Sequence, residues 1–129
     1  MASRPSDGSS ATPAGNRARR FPRSVRLLHR PEFEAVYRNG RRRTSSQFVI
    51  FFRPNGAAQS RFGASVKKAL GGAVVRNRIR RRIREVLRIH MPEIPNGWDI
   101  VIHPRATVAR SQFSPLAMEL VGLLRSALK

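Results

Sequence analysis

Hydrophobic and polar positions alternate along this chain in blocks that predict three helices and three strands. Three segments repeat apolar residues at intervals of three and four, which is typical of helices, and three short runs are β-branched or aromatic, which is typical of strands. In chain order we predict a helix over residues 31–40, strands over 47–53 and 59–66, a helix over 73–91, a strand over 98–103 and a helix over 111–129. The order α-β-β-α-β-α, with three or four strands and helices packed against them, predicts a small α+β sandwich, with an α/β arrangement as the alternative.

Turn and capping residues set the expected boundaries of these elements. Pro31 suits the first turn of a helix and Gly40 suits its C-cap. The turn Pro54-Asn55-Gly56 predicts that the first two strands form a hairpin. Ser114 is the expected N-cap of the last helix, with Pro115 in its first turn.

The first predicted strand has two faces of different character. Val49 and Phe51 lie on one side of the pleat. Three alternate residues are expected on the other side, in the core: Phe48, Ile50 and Phe52. Trp98, at the start of the third predicted strand, is also expected in the core.

The segment 73–88, AVVRNRIRRRIREVLR, predicts a helix with one apolar face and one strongly cationic face. The apolar positions that share a face are Val75, Ile79, Ile83, Val86 and Leu87. The positions that project from the opposite face are Asn77, Arg80, Arg81, Arg84 and Arg88, with Arg76, Arg78 and Arg82 at the edges. Such a ridge predicts phosphate binding, because guanidinium groups pair bidentately with phosphate. Arg82, near the apolar edge, has a second interpretation, in which it extends over the sheet.

The net charge supports a polyanionic partner. The chain of 129 residues has a formal charge of +19, only seven acidic residues and no cysteine. Nucleic acid is the first candidate partner and an anionic membrane surface is the second. Residues 1–20 are rich in Ser, Ala, Pro, Gly and Arg, which predicts a disordered basic tail before a single domain over 21–129.

The sequence predicts no catalytic residue and no metal site in the polypeptide. Metal-dependent nucleases gather several carboxylates around their metals, whereas the acidic residues here are scattered along the chain. His29, His90 and His103 lack Cys or acidic partners at ligand spacing, so each is expected at the surface or at a helix end.

These residues resemble a known family, the protein subunit of bacterial ribonuclease P. The arginine helix is similar to that family's signature helix, with Arg76-Asn77-Arg78 and its continuation through Arg84. The resemblance covers about residues 23–128, and the further segments that carry it are Arg26-Leu27, Glu32-Phe33, Val36-Tyr37, Arg61-Phe62-Gly63, Ser65-Val66, Lys68, Gly71, Ala73-Val74-Val75 and Asp99-Ile100-Val101.

The resemblance implies an accessory protein whose partner is a catalytic RNA. In such an enzyme the RNA binds Mg²⁺ and removes the 5′ leader from precursor tRNA, while the protein raises the affinity for substrate and Mg²⁺. It implies a left-handed βαβ crossover, as in one domain of a ribosomal protein, although the general handedness rule predicts the opposite. It also implies a cytoplasmic protein that needs no membrane and no obligate protein partner.

The resemblance assigns roles to two groups of residues. The residues expected to bind the catalytic RNA are Lys68, Arg76, Asn77, Arg78, Arg80, Arg81 and Arg84. The residues expected to line a cleft for the single-stranded leader are Phe33, Tyr37, Val49, Phe51 and Ser65. From spacing alone, Phe33 and Tyr37 fit a core as well as a cleft, since they are neighbours on one helix.

Some positions depart from the family pattern, and other functions stay open. Lys67 stands where the family has serine, Ala69 replaces a lysine, and His103-Pro104 precedes Arg105, so the roles of Lys67, Ala69 and Arg105 are left open. The alternative function is a structural ribosomal or nucleoid protein that binds nucleic acid without an enzymatic role. A membrane-active basic helix is a third interpretation, which the predicted core strands argue against.

Overall fold

The computed structural model describes Arg26 and residues 29–128, so the predicted tail over residues 1–20 lies outside the described residues. The described chain contains three α-helices: α1 (Arg30–Asn39), α2 (Ala73–His90) and α3 (Phe113–Ala127). It contains four strands: β1 (Arg41–Thr44), β2 (Phe48–Pro54), β3 (Arg61–Ala64) and β4 (Trp98–Pro104). Three short 3-10 turns cover Lys68–Leu70, Met91–Glu93 and Ala106–Ala109. The predicted α+β class is confirmed.

The four strands form one sheet in the order β1-β2-β4-β3. β2 is antiparallel to both β1 and β4, whereas β3 is parallel to β4. The predicted hairpin between the first two expected strands, β2 and β3, is therefore wrong, because β4 lies between them. β4 takes the central place because its residues Asp99 to Ile102 are buried on both faces, which only an inner strand allows. The segment β3-α2-β4 forms a βαβ crossover, and its left hand stays a prediction.

Strand β1 was missed by the pattern analysis. Its sequence, RRRT, contains no apolar residue, and all four side chains are exposed. It is an edge strand held by backbone pairing, in the register Arg41 to Phe52 and Thr44 to Val49. Local residue preference could not predict it, because a neighbouring strand and not a buried face determines its conformation.

The core lies between one face of the sheet and helices α2 and α3. Phe48, Ile50 and Phe52 are buried there as predicted. Trp98 is half-buried and not fully in the core, with its ring 5.8 Å from that of Phe52 in an edge contact. Burial of each aliphatic or aromatic side chain contributes roughly 1.5–3 kcal/mol to the stability of the fold. This core layer therefore stabilises the sheet, whose other face is free to form a binding surface.

Helix α2 contacts the core over a shorter stripe than the sequence predicted. Ile79, Ile83, Val86 and Leu87 are buried, but Val75 is 36% exposed. Val75 belongs to the first turn of α2, which extends past the core layer, and its side chain faces Gly71 instead. The cationic part of the helix therefore begins beyond the edge of the core.

The start of α3 differs from the prediction. The helix begins at Phe113, Gln112 is its N-cap, and Ser114 is the second helical residue rather than the cap. The carbonyl of Gln112 accepts the first helical hydrogen bond from the Leu116 N–H at 3.2 Å. Pro115 is tolerated in this turn because its missing N–H would have had no partner within the helix.

None of the helices in the described part of the chain is long and apolar enough to cross a membrane.

Candidate RNA-binding surfaces

The second face of the sheet is only partly covered, and it forms the floor of a cleft. Alternation along β2 and β4 places Val49 and Phe51 on this face together with Val101 and His103. Helix α1 covers one part of the floor through Val36, which is fully buried against Val101. The remainder of the floor stays open to solvent.

Three aromatic rings meet at the boundary between α1 and the open floor. The ring of Tyr37 lies 5.0 Å from that of Phe51, in an edge-to-face arrangement, and 5.5 Å from the imidazole of His103. The rings of Phe51 and His103 are 5.1 Å apart. The Tyr37 hydroxyl also forms a 2.8 Å hydrogen bond with His103 Nε2. These contacts fix the ring orientations, and Tyr37 stays 39% exposed.

An open groove of about 290 Å³ runs across this floor. Val49, Phe51 and Ser65 line it, so three of the predicted cleft residues are brought together. The other residues that line it are Lys67, Leu70, His103, Pro104 and Arg105. Lys67 and Arg105, whose roles the sequence left open, thus place two cations beside an aromatic surface. Ala69 is exposed in the 3-10 turn after Lys67, and nothing in the structure gives it a role.

Phe33 and Tyr37 line a neighbouring groove on α1. Phe33 packs against Val36 and Val101 from one side. On its other side it lines a depression together with His29, Arg30, Glu34 and Tyr37. The half-buried ring of Phe33 thus contributes to the small core under α1 and to this neighbouring groove, whereas the groove over the sheet floor does not include it, and its role in binding the leader stays a prediction.

His103 is the residue that sequence analysis missed. It lies neither at a helix end nor alone at the surface, but half-buried in the cleft. Burial, with a smaller effect of the Lys67 charge, lowers the pKa of His103. Burial also raises the pKa of Tyr37, against the smaller effect of a hydrogen bond with Ser65. Near neutral pH the pair is therefore uncharged, and it forms a polar link inside an aromatic site.

The other two histidines lie where they were expected. His29 is the N-cap residue of α1, and its backbone N–H donates to Glu32 Oε1 at 3.0 Å. His90 is the last residue of α2, with its Nδ1 2.6 Å from Glu93 Oε2.

A buried carboxylate ties α1 to the sheet beside the cleft. Asp99 is fully buried and accepts hydrogen bonds from Arg61 Nε at 2.9 Å and Arg61 Nη2 at 2.7 Å. Asn55 Nδ2 donates to the same carboxylate at 3.0 Å. Arg61 Nη1 reaches Glu32 of α1 at 2.8 Å. Burial opposes ionisation of Asp99, but the hydrogen bonds from Arg61 and Asn55 and the arginine charges outweigh it and lower its pKa.

Helix α2 presents its predicted cationic face to solvent. Asn77, Arg80, Arg81 and Arg84 line one shallow groove along the helix, together with Val74. Arg78 and Lys68 are exposed nearby, and the Arg76 side chain donates to the Gly71 carbonyl at 3.1 Å. All seven residues predicted to bind RNA thus lie on α2 or the turn before it.

Besides Arg76, two further arginines of α2, Arg82 and Arg88, make contacts within the protein. Arg88, which was predicted on the open cationic face, pairs with Glu85 one turn earlier and is half-buried. Arg82 donates to the backbone carbonyl of Ser111, so it connects α2 to the start of α3 instead of extending over the sheet.

The described residues contain no group of three or more His, Cys, Asp or Glu side chains that could hold a metal ion.

Comparison with known proteins identifies the family to which this chain is similar. The family model for ribonuclease P matches residues 21–128. The ribonuclease P protein component of Desulfovibrio desulfuricans is 39% identical over 109 residues, covering 81% of this chain and 84% of that protein. The corresponding component of Thermotoga maritima is 36% identical over 109 residues, covering 81% of this chain and 93% of that protein.

Solved structures show the same fold. The ribonuclease P protein from Thermotoga maritima superposes with a TM-score of 0.74 at 35% identity, covering 78% of this chain and 96% of that chain. The Staphylococcus aureus protein gives a TM-score of 0.72 at 30% identity, covering 81% and 95%. The chain belongs to the ribonuclease P protein family and is a protein subunit of the tRNA-processing ribonucleoprotein.

Proposed function

We propose that this protein binds the catalytic RNA of ribonuclease P through α2 and holds the 5′ leader of precursor tRNA in the cleft over the sheet. The observation that carries the proposal is an open aromatic floor flanked by Lys67 and Arg105, on a chain that also carries an exposed arginine helix. We propose that the protein functions in the cytoplasm, where precursor tRNA of a bacterial cell is made.

The arginine helix fits the phosphates of a folded RNA. Arg80, Arg81 and Arg84 share one groove with Asn77, so several guanidinium groups can approach one stretch of backbone. Charged hydrogen bonds of this kind position a protein on nucleic acid without reading its sequence, while Asn77 can reach a sugar or a base edge.

The cleft fits a single strand of variable sequence. Phe51 and Tyr37 offer ring surfaces on which bases can stack, and every base has such a face. Lys67 and Arg105 lie where they can neutralise the phosphates of a strand that crosses the floor. A binder that recognised only folded RNA would have no use for an open aromatic groove, which is why we favour this function over a structural nucleic-acid-binding protein.

We assign catalysis and Mg²⁺ to the RNA partner. Several carboxylates of the described residues are engaged in ion pairs, with Asp99 and Glu32 both bound to Arg61 and Glu85 paired with Arg88, and no group of three or more could hold a metal ion. The protein then acts by reducing phosphate repulsion between two RNAs, which raises the affinity for substrate and lowers the Mg²⁺ concentration that the complex needs.

A binding comparison tests the leader assignment. The double variant Phe33→Ala, Phe51→Ala, assembled with the ribonuclease P RNA, should bind precursor tRNA at least about 30-fold more weakly, since stacking contributes about 1–3 kcal/mol per base and two rings are removed. Its affinity for mature tRNA should be unchanged. The control is Met118→Ala, which removes an exposed apolar side chain of α3 and should affect neither substrate. Equal weakening for precursor and mature tRNA would show that the two rings only maintain the fold.

A further inference from the structure

The edge strand β1 carries three consecutive arginines that the α2 and cleft assignments do not use. Arg41, Arg42 and Arg43 are all exposed. None of the ion pairs between described residues includes them, since the paired carboxylates are those of Glu32, Glu85, Glu93 and Asp99. Three adjacent positive charges on one strand repel each other unless a polyanion is bound beside them.

The backbone of β1, which carries these arginines, is held at both ends. Before them, the Gly40 N–H donates to the Val36 carbonyl at 2.8 Å, and any Cβ on Gly40 would lie 2.4 Å from that oxygen. After them, Glu119 of α3 accepts hydrogen bonds from Ser45 Oγ at 2.5 Å and the Gln47 N–H at 2.7 Å. The strand is anchored at both ends, so the backbone positions from which the three arginines project are fixed relative to the sheet.

The pairing register distributes these charges over both sides of the sheet edge. Arg42 pairs with Phe51, which places its side chain on the cleft face beside the aromatic floor. Arg41 and Arg43 pair with Phe52 and Ile50, which places them on the opposite face. A single-stranded RNA that lies on Phe51 and leaves the sheet at this edge would pass Arg42 first and then Arg41 and Arg43.

This surface is distinct from the arginine helix. β1 and β3 are the two outer strands, separated by three strand spacings or roughly 14 Å. Lys68 and α2 follow β3, so they lie toward the other edge, whereas β1 contacts α3.

We propose that the β1 edge is a second phosphate-binding site, which holds the backbone of the precursor tRNA leader where it leaves the aromatic groove. This proposal rests on the leader assignment above. Its ligand is the sugar-phosphate backbone, so the site has no base preference and adds affinity only for leaders long enough to reach it.

A leader-length series tests the proposal. The triple variant Arg41→Gln, Arg42→Gln, Arg43→Gln, in complex with the ribonuclease P RNA, is compared with wild type on precursor tRNAs whose leaders grow by single nucleotides. We expect the affinity to fall about tenfold for long leaders, as three exposed charge pairs predict, and to be unchanged for the shortest leader and for mature tRNA. The salt dependence for long leaders should flatten by about two units of log-log slope.

Matched variants separate charge from structure. The double variant Arg41→Gln, Arg43→Gln removes the same charge as the control Arg110→Gln, Arg125→Gln, whose exposed arginines lie elsewhere. Only the first should weaken long-leader binding. Replacing all three β1 arginines by lysine keeps the charge and should restore most of the affinity, which a purely structural role for arginine would not allow.

Several outcomes would overturn the proposal. A loss of precursor tRNA affinity that is equal for every leader length would assign the edge to the catalytic RNA. A weaker affinity of the protein for the ribonuclease P RNA, measured without precursor tRNA, would do the same. Unchanged binding with increased self-association would mean that the charges only prevent edge-to-edge pairing of sheets. Phe51→Ala is measured in parallel: if it weakens leader binding and the β1 variant does not, only this inference fails, and if neither does, the leader assignment fails as well.

Discussion

Asp99→Asn is the substitution that tests most sharply how the cleft is held together. It preserves the size of the side chain but replaces a carboxylate oxygen by an amide that donates. In the native protein this carboxylate is fully buried and accepts two hydrogen bonds from Arg61 and one from Asn55. The substitution therefore leaves at least one Arg61 donor facing another donor, with the charge of Arg61 no longer balanced from the sheet.

The expected cost follows from this geometry. Breaking a buried ion pair by removing one partner costs about 3–5 kcal/mol. Arg61 is 32% exposed and keeps its contact with Glu32, so part of its charge is solvated and part stays paired. We therefore expect a loss of about 2–3 kcal/mol in the free energy of unfolding, at or slightly below the lower limit of that range. For a domain of this size the melting temperature should fall by about 10–20 °C.

Urea and thermal unfolding of the isolated protein measure this loss. The control is Glu85→Gln, which removes a partly solvent-exposed pair with Arg88 on one helix and should destabilise the protein much less than Asp99→Asn. The pH dependence has a defined sign. Because the pKa of Asp99 is lowered in the folded state, its contribution is present above the ordinary value of 3.8 and disappears as the pH falls below it. The difference between wild type and variant should shrink in the same range.

A variant within about 0.5 kcal/mol of wild type near neutral pH would refute this reasoning. It would mean that Arg61 is fully solvated once its partner is lost, and that α1 is positioned by Val36 and Phe33 alone.

Three further predictions concern the helix, the cleft and the sheet edge. Charge reversal at Arg78 and Arg81 to Glu should lower the affinity for ribonuclease P RNA at least tenfold and flatten its salt dependence, while unchanged binding would remove that face from the interface. Because the pKa of His103 is lowered by burial, wild-type stability should fall as the pH drops below the ordinary value of 6.5, and urea unfolding of His103→Gln should show no such step. Gly40→Ala should destabilise by about 1–3 kcal/mol in the same assay, because its Cβ would meet two backbone oxygens, whereas Gly122→Ala, in open space on α3, should stabilise by about 0.5–1 kcal/mol.

The elements that the sequence predicted well are those in which one face is buried. Ile79 and Ile83 recur at helical spacing and are buried, so periodicity identified α2 and its cationic face. Phe48 and Phe52 alternate with Phe51 and proved to be core, which correctly left Phe51 on the other side of the sheet. The family resemblance rather than periodicity pointed to the cleft, because an aromatic pair four residues apart fits a core equally well.

The features that the sequence did not predict depend on partners distant in the chain. Strand pairing is such a feature: turn residues near Gly56 indicated a hairpin, yet β4 inserted between β2 and β3. A signal existed, since Ile100, Val101 and Ile102 form an uninterrupted apolar run that is typical of a central strand. β1 offered no comparable signal.

The polar residues of the cleft also depend on partners that are distant in the chain. Asp99 and His103 were treated as scattered titratable groups, although alternation along one strand places both on the same face as Val101. This alternation is visible in the sequence and would have placed Asp99 and His103 beside the cleft. It could not have found Arg61 or Tyr37 as their partners, because those contacts depend on how α1 and β3 are placed around β4.

The measurement that tests the central claim most directly is cleavage of a precursor tRNA by the ribonuclease P RNA of the same organism, with and without this protein, over a range of Mg²⁺ concentrations. If the protein is the accessory RNA-binding subunit, cleavage at low Mg²⁺ will require it, and the RNA alone will cleave at high Mg²⁺ and high salt. Cleavage rates that are the same with and without the protein at every Mg²⁺ concentration would contradict this claim.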